Sequence, residues 1–239
     1  MAAAPTRDRL GSIDLLRGAV MVLMALDHVR DFVSSATFDP TDLDKTTPAL
    51  FFTRWITHFC APVFVALAGL GAHLQGERGK SKGALSRFLL TRGLWLVVLE
   101  HTFVRFGWAY NMTYNMMVAQ VIWALGWSMV VLAGLVYLPR PVVAAVAIAG
   151  IVGHNALDAV HSKTLGAWAP VWTLLHEQAP IFLPGRRVFF VAYPLVPWVF
   201  VMAAGWALGG WLLAGSEVER SRRLLRVGAG MLAAFVERK

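Results

Sequence analysis

Long apolar runs separated by short polar breaks recur from one end of the chain to the other. This pattern predicts six hydrophobic helices, at 12–33, 49–75, 86–106, 116–138, 141–158 and 188–214, plus the start of a seventh. A bilayer core roughly 30 Å thick is crossed by about 20 apolar residues as helix, and each run approaches that length. Two stretches, 116–138 and 188–215, hold no charged residue. The breaks have physical causes: Pro40 and Pro48 in the first loop, the cluster "GERGKSKG" in the second, and Pro139 with Pro141 in a tight connector. The expected fold class is all-α, a polytopic transmembrane bundle of six full spans and a partial seventh, forming one domain over residues 1–239.

Composition supports a solvent other than water. Hydrophobic residues make up 57% of the 239 positions and charged residues 15%, too few to cover a soluble domain of this size. Many of the ten Trp stand near predicted helix ends, where an amphipathic ring suits the headgroup level. The net charge of +8 raises the question of nucleic acid, but the basic residues sit in short loops and form no continuous patch, so no nucleic-acid partner is expected. The single cysteine, Cys60, cannot form an internal disulfide and reads first as a small core residue. No cleavable signal peptide is recognised, because charged residues precede the first apolar run and no small-residue cleavage site follows it.

Short cytoplasmic loops retain lysine and arginine, which sets an expected orientation. One set of alternate loops carries Arg7, Arg9, Arg78, Lys80, Lys82, Arg87, Arg140 and the basic run from Arg220 to Arg226. The opposite set has Lys45, Lys163, Arg186 and Arg187, with Asp39, Asp42 and Asp44 beside them. The N-terminus is therefore expected in the cytoplasm, the chain in the cell inner (plasma) membrane, and 159–187 outside, with a short amphipathic helix near 171–178.

Charged groups inside a spanning helix cost about 2.5–3.5 kcal/mol on insertion scales and call for a partner or a role. In the first span, at 100° per residue, Arg17 falls about 60° and His28 about 40° from Asp14 on one stripe. That stripe must face protein or a water-filled cavity. Asp27, Arg30 and Asp31 surround His28 in sequence, and a carboxylate beside an imidazole can orient the ring for general-base work. The other reading makes Asp14 and Arg17 a structural ion pair and "DHVRD" a helix end in interfacial water. In the second span Arg54 and His58 share a face, and Pro62, four residues further, can kink the helix and free backbone carbonyls. His58 is a second candidate base, or a packing histidine. In the third span Arg87 and Arg92 either snorkel or receive phosphates, while Glu100 lies deep and needs a cation or a proton. The remaining histidines lack metal-ligand spacing, so no metal is expected. No HExxH, CxxC, P-loop or GxSxG occurs, which removes zinc-hydrolase, ATPase and α/β-hydrolase readings.

The opening "RLGSIDLLRGAVMVLMALDHVRDF" resembles that of bacterial membrane proteins grouped with heparan-alpha-glucosaminide N-acetyltransferase. It is similar, more distantly, to membrane O-acyltransferases that modify lipopolysaccharide and peptidoglycan. The resemblance continues through "FFTRWITHFCAPVFVALAG", "LLTRGLWLVVLE", "VIWALGWSMVVLAGL", "GHNALD" and "YPLVPWVFVMAAG". It implies transfer of an acyl group, acetyl in the first instance, from acyl-coenzyme A to a sugar, glycolipid or related acceptor in or across the membrane. Acetyl-CoA would be a co-substrate, with no cofactor tightly bound. The O-acyltransferase pattern of a helix-1 arginine followed by a histidine is matched by Arg17 and His28. The resemblance thus gives His28 the catalytic role and Arg17 a structural or ligand-orienting one, and gives Arg87 and Arg92 the coenzyme A phosphates; Asp27, as the carboxylate orienting His28, and His58, as the second base, are candidates by position alone. Animal members have asparagine where His28 stands and carry their essential histidine in the first extracytoplasmic loop, which here, at 34–48, has none. The family has more helices, so the chain reads as C-terminally truncated. The alternatives to an enzyme are a transporter or channel lined by these polar groups, or a non-catalytic membrane subunit.

Overall fold

The computed structural model describes residues 11–35 and 38–237. Arg7 and Arg9, counted above for orientation, lie outside the described residues. The chain divides into two compact units, 1–67 and 68–239.

In the first unit, α1 (Gly11–Val33) is followed by α2 (Pro48–Thr57) and the start of α3 (Cys60–Glu77). Helix α1 is polar on its sheltered side. Asp14, Arg17, Asp27, His28 and Arg30 lie among its sheltered positions, together with the apolar Ile13, Val20, Leu23 and Met24, whereas Leu15 and Val22 are 75% and 72% exposed. Apolar outside and polar inside is the arrangement a lipid solvent selects. Helix α2 starts where Thr47 accepts the N–H of Leu50 at 3.3 Å and Pro48 supplies a preset first turn. The helical path breaks at 58–59, where His58 and Phe59 N–H groups turn back to Trp55 and Ile56. Pro62 is the cause, since its ring clashes with the carbonyl four residues earlier. Cys60 is buried, its Sγ 3.7 Å from the carbonyl of Val20.

The second unit continues α3 and adds α4 (Lys82–Leu99), a π-helical turn at Glu100–Val104, and α5 (Arg105–Ala109). After strand β1 (Met116–Ala119) come α6 (Val121–Leu135), α7 (Arg140–Gly153), α8 (Ala169–Leu175), strands β2 (Pro180–Leu183) and β3 (Arg187–Val191), α9 (Leu195–Leu213) and α10 (Glu217–Glu237). Helix α6 packs on α4 and on α9, and α7 packs on α9. Glycines permit the close approaches. A Cβ on Gly93 would stand 2.5 Å from the carbonyl oxygen of Gly126, and one on Gly126 would stand 2.7 Å from that of Gly93.

The protein is mostly helical, and the all-α expectation needs one correction. A three-stranded sheet, ordered β1-β3-β2, pairs β1 with β3 in parallel from Met116↔Val188 to Ala119↔Val191, and β2 with β3 antiparallel. The expected helices at 116–138 and 188–214 therefore begin as strands. Helix proper starts after Gln120 and after Pro194, the latter because a residue before proline is driven to extended backbone. Among the described residues, three helical stretches are long and apolar enough to cross a bilayer: Pro48–Glu77, Arg140–Leu157 and Leu195–Leu213. Helix α6, with 15 residues, is shorter. Helices α1 and α4 have the length but carry Asp14, Arg17, Asp27, Arg30 and Asp31, or Lys82, Arg87 and Arg92. The short helix expected near 171–178 is α8.

Candidate active site

Arg30 of α1 and Arg54 of α2 converge on Asp27. Its carboxylate accepts two hydrogen bonds from Arg54 Nη1, at 3.1 and 3.2 Å, one from the Thr57 hydroxyl at 2.8 Å, and one from Arg30 Nη2. Arg30 also bonds Asp31 at 2.9 Å. Asp27 is the more sheltered acid, with its side chain 15% exposed against 43% for Asp31. One turn of α2 makes this possible: Arg54 and Thr57 are three apart and so share the face presented to α1.

His28 stands at the edge of this network. One ligand atom each from Asp27, His28 and Asp31 lie within 4.8 Å of one another. Such a trio resembles a cation site, but the guanidinium groups of Arg30 and Arg54 already supply positive charge to its carboxylates. The arrangement places the imidazole beside acids whose own charge is balanced. Arg17 sits about three turns back along the same stripe, its Nη2 3.4 Å from the carbonyl of Leu67 in α3. Asp14 shares the shielded face.

His58 is exposed, and its Nδ1 lies 2.8 Å from the carbonyl of Arg54. That carbonyl lost its helical partner when the His58 N–H turned to Trp55. The expected kink beside His58 thus exists, and the imidazole itself satisfies the carbonyl it frees.

In the second unit Glu100 is 2% exposed, and its Oε2 accepts the N–H of Trp123 at 3.0 Å. Its hydrogen-bond partner is thus the amino end of α6 and not the expected cation; there unsatisfied N–H groups and the helix dipole both favour a carboxyl oxygen. Arg87 and Arg92 are both exposed on α4. Five residues apart, they point about 140° from each other around the helix and do not converge. Arg92 instead lies over the Phe88 ring at 4.8 Å, opposite Lys80 at 3.9 Å.

Sequence reasoning named Arg54 but missed Thr57 and the role of Arg30 as partners of Asp27. The available signal for Thr57 was its place three residues after Arg54 on a short helix that is otherwise apolar. In the loops outside the spans, Asp39 is held below the usual carboxylate range by the N–H and hydroxyl of Thr41. Glu177 is held low by Ser162, whose N–H bonds it at 2.7 Å.

The family model described as heparan-alpha-glucosaminide N-acetyltransferase, catalytic, matches residues 9–236, nearly the whole chain. No curated protein and no solved structure matches it.

Proposed function

The chain belongs to the heparan-alpha-glucosaminide N-acetyltransferase catalytic family, and on that premise we propose that it is a membrane acyltransferase moving an acetyl group from acetyl-coenzyme A to a sugar or related acceptor. The family match over 9–236 carries this reading, and the His28 network in an apolar helix supports it. His28 takes the proton of an acceptor amine or hydroxyl as that group attacks the thioester carbonyl. The new C–N or C–O bond forms, the C–S bond breaks, and coenzyme A leaves as its thiol with the proton returned by the imidazolium. Asp27 and Asp31 orient the ring, Arg54 and Arg30 fix Asp27, and Arg17 positions the middle of α1. Arg87 and Arg92, both accessible on α4, are the family-derived candidates for the cofactor phosphates.

The finer topology belongs to the same proposal. Helices α1, α4 and α6 join the three longest apolar stretches as spans, giving six, with α10 as part of a seventh. Lysine and arginine counts favour a cytoplasmic N-terminus in the inner (plasma) membrane, and α8 outside.

The test uses membranes containing the full chain, incubated with acetyl-labelled coenzyme A and extracted for labelled lipid or glycan. His28→Asn is expected to lower transfer by about 10²–10⁴, as loss of a general base does, while His58→Asn keeps an N–H donor for the Arg54 carbonyl and lowers it much less. Transfer near the parent rate in a well-inserted His28→Asn protein rejects His28 and promotes His58.

A further inference from the structure

Where the carboxyl end of α3 meets the start of α4 and the connector between α6 and α7, the second unit opens a cleft of ≈ 350 Å³. Lys80, Lys82 and Arg140 stand on it, and Leu85, Leu138 and Trp206 form apolar wall. Each cation is anchored. Lys82 Nζ reaches the Tyr137 carbonyl at 3.4 Å, Arg140 pairs with Glu77 at 2.9 Å and lies 5.8 Å from the Trp206 ring, and Lys80 bonds Gln75 and stands over Phe88. Among the described residues, Glu77 is the one carboxylate paired with these three cations, and no acidic residue lines the cleft itself. An excess of two positive charges thus remains beside an apolar wall.

Retention of basic residues in short loops explains their number but not their convergence, because orientation depends on how many lysines and arginines a loop holds and not on where they point. Arg78 and Arg87 belong to the same basic set and do not line the cleft. Two ammonium groups and a guanidinium around one opening match a phosphate, which offers several acceptor oxygens to separate donors. The apolar wall with an indole matches a ligand whose phosphate is attached to a less polar body.

We propose that this cleft binds the phosphate of an amphipathic phosphate ester, either the nucleotide end of coenzyme A or the headgroup of an anionic lipid. If the source is coenzyme A, the cleft deepens the acyl-transfer reading and places the phosphates on Lys80, Lys82 and Arg140, nearer the amino end of α4 than Arg92. If the source is a lipid, the cleft is an annular headgroup site independent of catalysis.

The experiment titrates the purified full chain in neutral detergent, following tryptophan fluorescence, with 3′,5′-adenosine bisphosphate, with coenzyme A, and with phosphatidic acid in mixed micelles against phosphatidylcholine. Saturable binding that weakens with salt is expected, lowered about tenfold or more by the double change Lys80→Gln with Lys82→Gln or by Arg140→Gln, and unchanged in Lys163→Gln. Binding of the nucleotides alone identifies coenzyme A, and binding of phosphatidic acid alone identifies the lipid. The proposal is overturned if the parent binds none of these probes saturably, if its binding is insensitive to salt, or if the glutamine variants bind within twofold of the parent. Should the double variant fail to fold, the parent salt series and Arg140→Gln decide. Binding needs no turnover, so an inactive parent leaves the result readable, and an active parent that binds no phosphate here overturns the cleft while leaving acyl transfer standing.

Discussion

Replacing Glu100 separates two ways of satisfying a buried helix start. Its Oε2 accepts the N–H of Trp123 at 3.0 Å, in the first turn of α6, and the residue is 2% exposed. Glu100→Ala leaves that N–H buried and unpaired, which costs roughly 1–3 kcal/mol. It also removes one packed methylene at about 0.8 kcal/mol, so the whole change amounts to about 3 kcal/mol. Glu100→Gln keeps a carbonyl-type oxygen at the same reach and is expected to cost about 1 kcal/mol or less, the scale of a carboxylate's interaction with a helix amino end. Thermal unfolding of the protein in detergent, followed by near-ultraviolet circular dichroism of the tryptophans, reads both. Alanine should lower Tm by roughly 6–12 °C and glutamine by no more than a third of that. Equal losses for the two variants would show that hydrogen bonding to Trp123 is not what Glu100 provides. An alanine variant as stable as the parent would show that α6 does not need the cap.

Gly93→Val places branched carbon where even a Cβ would meet the Gly126 oxygen at 2.5 Å, and should destabilise by about 1–3 kcal/mol, whereas Gly107→Ala, with nothing within 4 Å, should be neutral or slightly stabilising by thermal unfolding. A double-mutant cycle on Asp27→Asn and Arg54→Met should give a coupling of about 1–2 kcal/mol, and a coupling near zero would mean that their pairing is dispensable. The Glu177 carboxyl is held low by Ser162, so its contribution is present above the ordinary carboxylate pKa near 4.3 and is lost as pH falls through its depressed value. Acidification into that range should therefore open 162–177 to proteolysis, and Glu177→Gln should abolish the pH dependence of cleavage.

The parts of the fold legible in the sequence were those set by local sterics and periodicity. The polar stripe of α1 follows from placing residues at 100° steps, because helix geometry alone decides which side chains share a face. The break at 58–59 follows from Pro62, because one ring excludes one carbonyl. Strands β1 and β3 were not legible. Each holds four apolar residues just ahead of an apolar helix, and over so short a run periods of 2 and 3.6 cannot be told apart. Their strand character comes from pairing Met116 with Val188, residues far apart in the chain. The partner of Glu100 was hidden for a related reason: it is a backbone N–H, and a sequence shows side chains. A deep carboxyl suggested a cation, and a helix amino end met the same need.

The two histidines near the break differ in how much freedom their surroundings leave them. The Arg54 carbonyl can only accept, so the His58 Nδ1 that faces it at 2.8 Å must carry a proton, and a neutral ring is left with Nε2 as its acceptor on an exposed side chain. Removing the Nδ1 donor would leave that carbonyl to the Thr57 hydroxyl, 2.8 Å away. Thr57 has one proton, and the Asp27 carboxylate, at the same distance, competes for it. His58 is therefore tied to the integrity of the Asp27 network through a chain of single protons, and its loss can depress activity without its being the base. Around His28 the formal charges of Asp27 and Asp31 are matched by Arg30 and Arg54. Under the proposed acyl transfer the histidine beside this charge-balanced cluster, and not the one that caps the helix break, is therefore assigned as the base, and a donor-preserving asparagine at 58 separates the two roles where alanine would blur them.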